Sequence, residues 1–147
     1  MEKSDIIETL NNLIQTSRDG EEGFRTCAGG VKNAQLKQMF EHAANRCSQA
    51  VSELQSKARA LGGDPESSGS FSGSLHRGWV NIKSTITGMD EAAVLSECER
   101  GEDIAKHAYE DALAKDLPVD VRSMVERQYE GVKQHHDQVR QLRNAVS

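Results

Sequence analysis

Proline is nearly missing from this sequence, with two in 147 residues, and aromatic residues make up only 4%. With Ala, Glu, Gln, Lys, Arg and Leu filling most other positions, that scarcity leaves little material for sheet and points to helix. No apolar run approaches the roughly 20 residues a membrane span needs, so no membrane association is expected. No charged-then-apolar leader opens the sequence, and the expected compartment is the cytoplasm. An excess of basic charge is missing too. The net charge is −5 with both signs interspersed, which gives no face able to attract a phosphate backbone and excludes nucleic acid as the expected partner. The cysteines Cys27, Cys47 and Cys98 are odd in number and lack a Cys-x-x-Cys spacing. They read as buried free thiols in a reducing compartment. No base can be placed beside any of them, which argues against a Cys/His/Asp triad. The glycine pairs precede no Lys-Ser or Lys-Thr, so a phosphate-binding loop is absent.

What is present is helical periodicity, over a length that suits one domain, 1–147, with a real core. A first helix is expected over 5–28, opened by Ser4 or by Asp5 with Glu8 three residues on. Its apolar stripe is Ile7, Leu10, Ile14, Ser17, Glu21, Phe24 and Ala28, and Gly29-Gly30 should end it. A second helix, 33–61, carries Leu36, Phe40, Ala43, Cys47, Ala50, Leu54, Ala58 and Leu61 and stops at Gly62-Gly63. The short connection forces this pair to run antiparallel. The Gly-, Pro- and Ser-rich stretch 64–70 reads as a loop, followed by a short helix marked by Leu75, Trp79, Ile82 and Ile86 and closed by Gly88. A third helix spans 90–114 (Val94, Cys98, Gly101, Ala105, Ala108, Ala112). A fourth starts at Pro118 and runs to the end, with Val121, Val125, Gln128, Val132, His135 beside His136, Val139 and Leu142 inward. At ~1.5 Å per residue each long helix is about 37 to 43 Å tall. The expected fold is an all-α antiparallel four-helix bundle with an extra short helix between the second and third long helices. That connection is long enough for a single ferritin-type crossover, and simple up-down-up-down topology stays open.

Certain residues interrupt the stripes. Glu21 sits inside the apolar stripe of the first helix, Glu102 near the edge of the third, and His135 and His136 on the flanks of the fourth. All four fall near mid-height. Carboxylates and imidazoles from facing helices at one level are how helical bundles hold metals, and a buried carboxylate must be paired or bound. A metal set of Glu21, Glu102 and His135 or His136, for iron, manganese or zinc, is one reading. The other is a closed polar network in which these acids bond to Tyr109, Tyr129, Gln128, Arg46 or a histidine, without chemistry. No Glu-x-x-His pair occurs, and the second helix shows Ala43, Ala44 and Cys47 inward with Glu41 and His42 outward. A full di-metal oxidase centre is therefore a minor alternative, and no catalytic residue is assigned. Gly20, Gly23, Gly101 and Gly131 lie in helix interiors at the same level, at a cost of about 1 kcal/mol each relative to Ala. They either shape a central site or make room for Phe24, Tyr109, Tyr129 or Trp79.

Four blocks in order carry a resemblance: Asp19-Gly20-Glu21-Glu22-Gly23-Phe24, Leu75-His76-Arg77-Gly78-Trp79, Glu97-x-Glu99-Arg100-Gly101-Glu102, and Gln128-Tyr129 followed by His136-Asp137. Over essentially the whole chain they resemble an uncharacterised bacterial, mostly proteobacterial, domain-of-unknown-function family grouped with ferritin-like four-helix bundles. The resemblance implies fold far more than activity, and the sequence departs from the ferritin di-metal pattern at the second helix. A non-catalytic structural or interaction module is the competing reading, as a homodimer or with a helical partner, burying the Trp79 helix or an edge of the fourth.

Overall fold

The computed structural model describes residues 1–64 and 91–146. Four helices carry them, with no strand among the described residues: α1 (Lys3–Gly30), α2 (Ala34–Ala60), α3 (Glu91–Leu113) and α4 (Val119–Val146). The expected short helix with His76 and Trp79, and most of the loop before it, lie outside the described residues. None of the four described helices is long and apolar enough to cross a membrane.

Local chemistry sets the helix ends. α1 begins earlier than expected, and the cap predicted at Ser4 or Asp5 is not formed. Glu2 holds the N-cap position without a side-chain hydrogen bond, and its carbonyl accepts from the N–H groups of Asp5 and Ile6 at 3.1 Å. Ser4 and Asp5 are thus already inside the first turn, where the Thr9 hydroxyl donates to the Asp5 carbonyl at 2.9 Å. The far end also differs, because Gly29 and Gly30 stay helical and the extended backbone of Val31 stops the helix. α2 follows expectation. The Asn33 side chain accepts from Leu36 N–H at 3.1 Å, satisfying one of the orphan donors of the first turn.

At the end of α2, Gly62 takes φ +84°. Its N–H donates to Arg59 C=O at 2.9 Å while Gly63 N–H reaches back to Ala58 C=O at 2.8 Å. This is a Schellman closure, and it needs a residue at ease with positive φ. Gly63 is constrained differently, since a Cβ there would lie 2.6 Å from Ile7 Cγ2.

α1 packs along α2 and against α3; α4 packs against α3 and, more sparsely, α2. The apolar stripes meet in two clusters. One holds Phe24, Cys27, Val31, Leu36, Phe40, Val94, Leu95, Cys98 and Val139. The other holds Ile6, Leu10, Leu13, Ile14, Leu54, Ala58, Leu117, Val121 and Val125. Full burial of each Leu, Ile or Phe contributes about 1.5–3 kcal/mol. Between the clusters lies a polar waist of Ser17, Glu102, Gln128 and His135, all buried. This is the level at which the sequence pattern broke.

Candidate functional site

The waist is built from α3 and α4, with α1 and α2 as walls. Glu102 and His135 form its centre, 2% and 6% exposed. His135 Nδ1–H donates to Glu102 Oε1 at 2.8 Å. When the Glu102 carboxylate is ionised it can only accept, and the proton of this bond then sits on His135 Nδ1. The ring also meets Phe24 edge-on, with centroids 5.0 Å apart. Burial pushes the Glu102 carboxyl above its usual range, and the hydrogen bond from His135 partly offsets that rise. Among the described residues, Glu102 Oε2 and His135 Nε2 are buried without a hydrogen-bond partner.

One turn of α4 has two consecutive histidines, which must point to different sides. His136, 1% exposed, turns its Nε2 to Asp103 Oδ1 at 2.5 Å and its Nδ1 toward Asp137 Oδ1 at 3.4 Å. Glu99, one turn before Asp103 on the same face of α3, completes a group with a ligand atom from each of Glu99, Asp103 and His136 within 4.8 Å of one another. Glu99 already has cationic company: Arg140 Nε at 3.4 Å and Arg143 Nη1 at 2.7 Å.

A second polar chain runs outward from the waist. The Ser17 and Tyr109 hydroxyls are 3.4 Å apart, and Tyr109 O–H donates to Gln128 Oε1 at 2.9 Å. Gln128 Nε2 donates to Glu53 Oε1 at 3.3 Å, and Arg127 pairs with the same carboxylate. Alongside sits a cavity of about 260 Å³ lined by all four helices, including Phe24, Ala43, Arg46, Cys47, Glu102, Ala105, Gly131, Val132 and His135. Burial, aided by the nearby Glu102 charge, pushes the Cys47 thiol up to about 12, so it stays protonated and is no nucleophile.

The expected metal set is only partly assembled. Glu102 and His135 meet as anticipated, while His136 faces a different group. Glu21 is a correction. Its side chain is 29% exposed and pairs with Arg25 at 2.8 Å one turn along α1. The inward line of α1 runs Ser17, Gly20, Phe24, Cys27; Gly20 takes the inward place, leaving Glu21 at the rim. The buried acid of α1 is instead Asp19, which accepts from Gln15 Nε2 at 2.9 Å. Glu99 and Asp103 were missed, although their i, i+4 spacing opposite His136 was available as a signal. Of the interior glycines, Gly131 faces the Arg46 guanidinium, and Gly20 faces Cys47 Sγ, 3.1 Å from where a Cβ would stand.

One protein family, described as a domain of unknown function (DUF2383), matches residues 5–115. No curated protein matches the chain.

Proposed function

The chain belongs to the DUF2383 family, a domain of unknown function, and from that footing we propose that it is a ferritin-like helical bundle holding one divalent metal ion between α3 and α4. The ferritin-like reading rests on which residues pair. Phe24 stacks on Phe40 and Ile7 lies by Gly63; Tyr109 bonds Gln128 and Glu102 bonds His135; Ser17 meets Tyr109 and Lys115 reaches Thr9; Lys57 pairs with Asp120 and Arg127 with Glu53. In every packed pair the numbers rise on one helix as they fall on the other, so neighbours are antiparallel. α2 and α3 then run the same way, which requires one long crossover between them.

The metal reading is carried by the convergence of Glu99, Asp103 and His136. Two carboxylates and one imidazole form a mixed oxygen and nitrogen set of the kind that takes manganese, iron or zinc. Asp137 beside His136 Nδ1 supports it, since ligating histidines usually give their other N–H to a carboxylate. No step of a reaction is assigned to this ion.

Titrating metal-free protein with Co(II) tests the proposal, because bound cobalt reports its ligand field by absorption. One equivalent should bind in the wild type and in Glu21→Gln, while Asp103→Asn and His136→Gln should weaken binding about 10–100-fold. Absence of saturable binding in the wild type, or equal binding by all variants, would overturn it. The competing reading is a metal-free ion network that clamps α3 to α4. The two arginines on Glu99 favour it, and it requires a melting temperature indifferent to added metal.

A further inference from the structure

We propose that the mid-height cavity is a binding site for a small organic acid, with its carboxylate on Arg46 and its apolar body among Phe24, Ala43, Ala105 and Val132. These residues line one cavity of about 260 Å³. An engineered apolar cavity of ~150 Å³ already accepts a benzene ring, so the space suits a single ring or a branched chain.

The first argument is the seat of the arginine. Gly131 lies within α4, where glycine costs about 1 kcal/mol relative to Ala. A Cβ at that position would stand 1.5 Å from Arg46 Nη2 and 2.8 Å from its Cζ. The guanidinium therefore rests directly on the α4 backbone, in a notch that only glycine leaves open. Yet among the described residues Arg46 makes no hydrogen bond and no ion pair in that notch, whereas Arg25, Arg127 and Arg143 each engage a carboxylate. Glu53, the carboxylate on the same cavity wall, is taken by Arg127 and Gln128. Five donors on a half-buried, permanently charged group are thus uncommitted beside an internal space.

The second argument comes from two other residues of the same lining. Glu102 and His135, more than nine-tenths buried, each keep one polar atom without a hydrogen-bond partner among the described residues. Buried polar atoms are rarely left so, and a hydroxyl or amine on the body of a bound acid would supply what Glu102 Oε2 and His135 Nε2 lack. A single uncommitted cation among the described lining residues suits a monoanion, and Phe24, Ala43, Ala50, Ala105 and Val132 supply an apolar part of a wall that also carries Thr16, Ser17, Gln49 and Tyr109. This site shares no residue with Glu99, Asp103 and His136, so it stands or falls apart from the metal.

Benzoate is a suitable probe, with phenol as its neutral counterpart, titrated into ¹⁵N-labelled full-length protein in the presence of chelator. Saturable shifts are expected at Gly20, Ala105 and Gly131 with benzoate. Arg46→Gln should weaken benzoate about tenfold or more, and Arg46→Lys, which keeps the charge, should lose less. Gly131→Ala should mimic Arg46→Gln by evicting the guanidinium, and Ala105→Phe should block the cavity altogether. The proposal is overturned by no saturable shift in the wild type, by undiminished benzoate binding in Arg46→Gln, or by phenol binding as tightly as benzoate.

Discussion

Replacing Glu102 with alanine separates a dry buried pair from a hydrated one. The side chain is 2% exposed and its partner His135 6%, so the alanine variant leaves His135 Nδ1–H buried without an acceptor. Breaking one side of a buried pair costs about 3–5 kcal/mol, whereas losing an exposed pair costs ~0–1 kcal/mol. Glu102→Gln is the informative companion. Its amide oxygen still accepts from His135 while the desolvated charge is gone, so its stability should stay within about 1 kcal/mol of wild type. The pH dependence has a definite sign. The folded carboxyl is raised above its ordinary value by burial, so its contribution to stability is fully present below the usual carboxylate range and is lost as pH rises through the folded value. Glutamine cannot titrate, and the balance should move in its favour as pH increases. Urea unfolding at several pH values, with chelator present and a slope common to all variants, measures this. On heating, the alanine variant should melt on the order of 10 °C lower. A cost below about 1 kcal/mol for Glu102→Ala would refute the reasoning, because the carboxylate would then be solvated.

Three further outcomes follow from features away from the dyad. Ellman's reagent at pH 8 should label Cys47 and Cys98 only slowly in the folded protein, because burial raises both thiols, Cys47 to about 12 and Cys98 well above its usual value; rapid labelling of either would contradict that burial. Asn33→Ala should cost about 1 kcal/mol in urea unfolding through loss of the cap on Leu36 N–H, and Asn33→Ser should recover most of it. Gly62→Ala should cost roughly 1 kcal/mol for the left-handed backbone alone, and Gly63→Ala should add strain against Ile7, seen as a lower melting temperature for both.

Much of the fold was legible because long helices write their buried face in a period of 3.6. The stripes on α2, α3 and α4 fell on buried or half-buried positions throughout, including the mid-height interruption. The stop at Gly62-Gly63 was readable because left-handed turns demand particular residues, whereas the sequence pattern marks Asn33 only as the first residue of α2 and the structure makes it the cap. The start of α1 was not, since Ser4 and Asp5 are good caps but equally tolerable in a first turn. Glu21 shows the limit of a pattern read by threes and fours. Stepping from Ser17 by four lands on Glu21 and by three on Gly20, and only packing against α2 decides which turns inward. Glu99 and Asp103 were hidden for a related reason: a charge-dense run reads as a solvated face until the neighbouring helix is placed over it. Arg46 was named only as a hydrogen-bond donor, because nothing in sequence says that a glycine 85 positions later has cleared a place for it.

The split of the apolar interior into two clusters bears on how the molecule breathes. Backbone hydrogen bonds run unbroken through the middle of each rod, but the grease that would resist side-chain motion is concentrated toward the two ends. Amide exchange should accordingly be slowest in those terminal thirds, with faster excursions confined to the centre. A guest could come and go at mid-height while both ends stay shut, so turnover of bound material need not wait for unfolding.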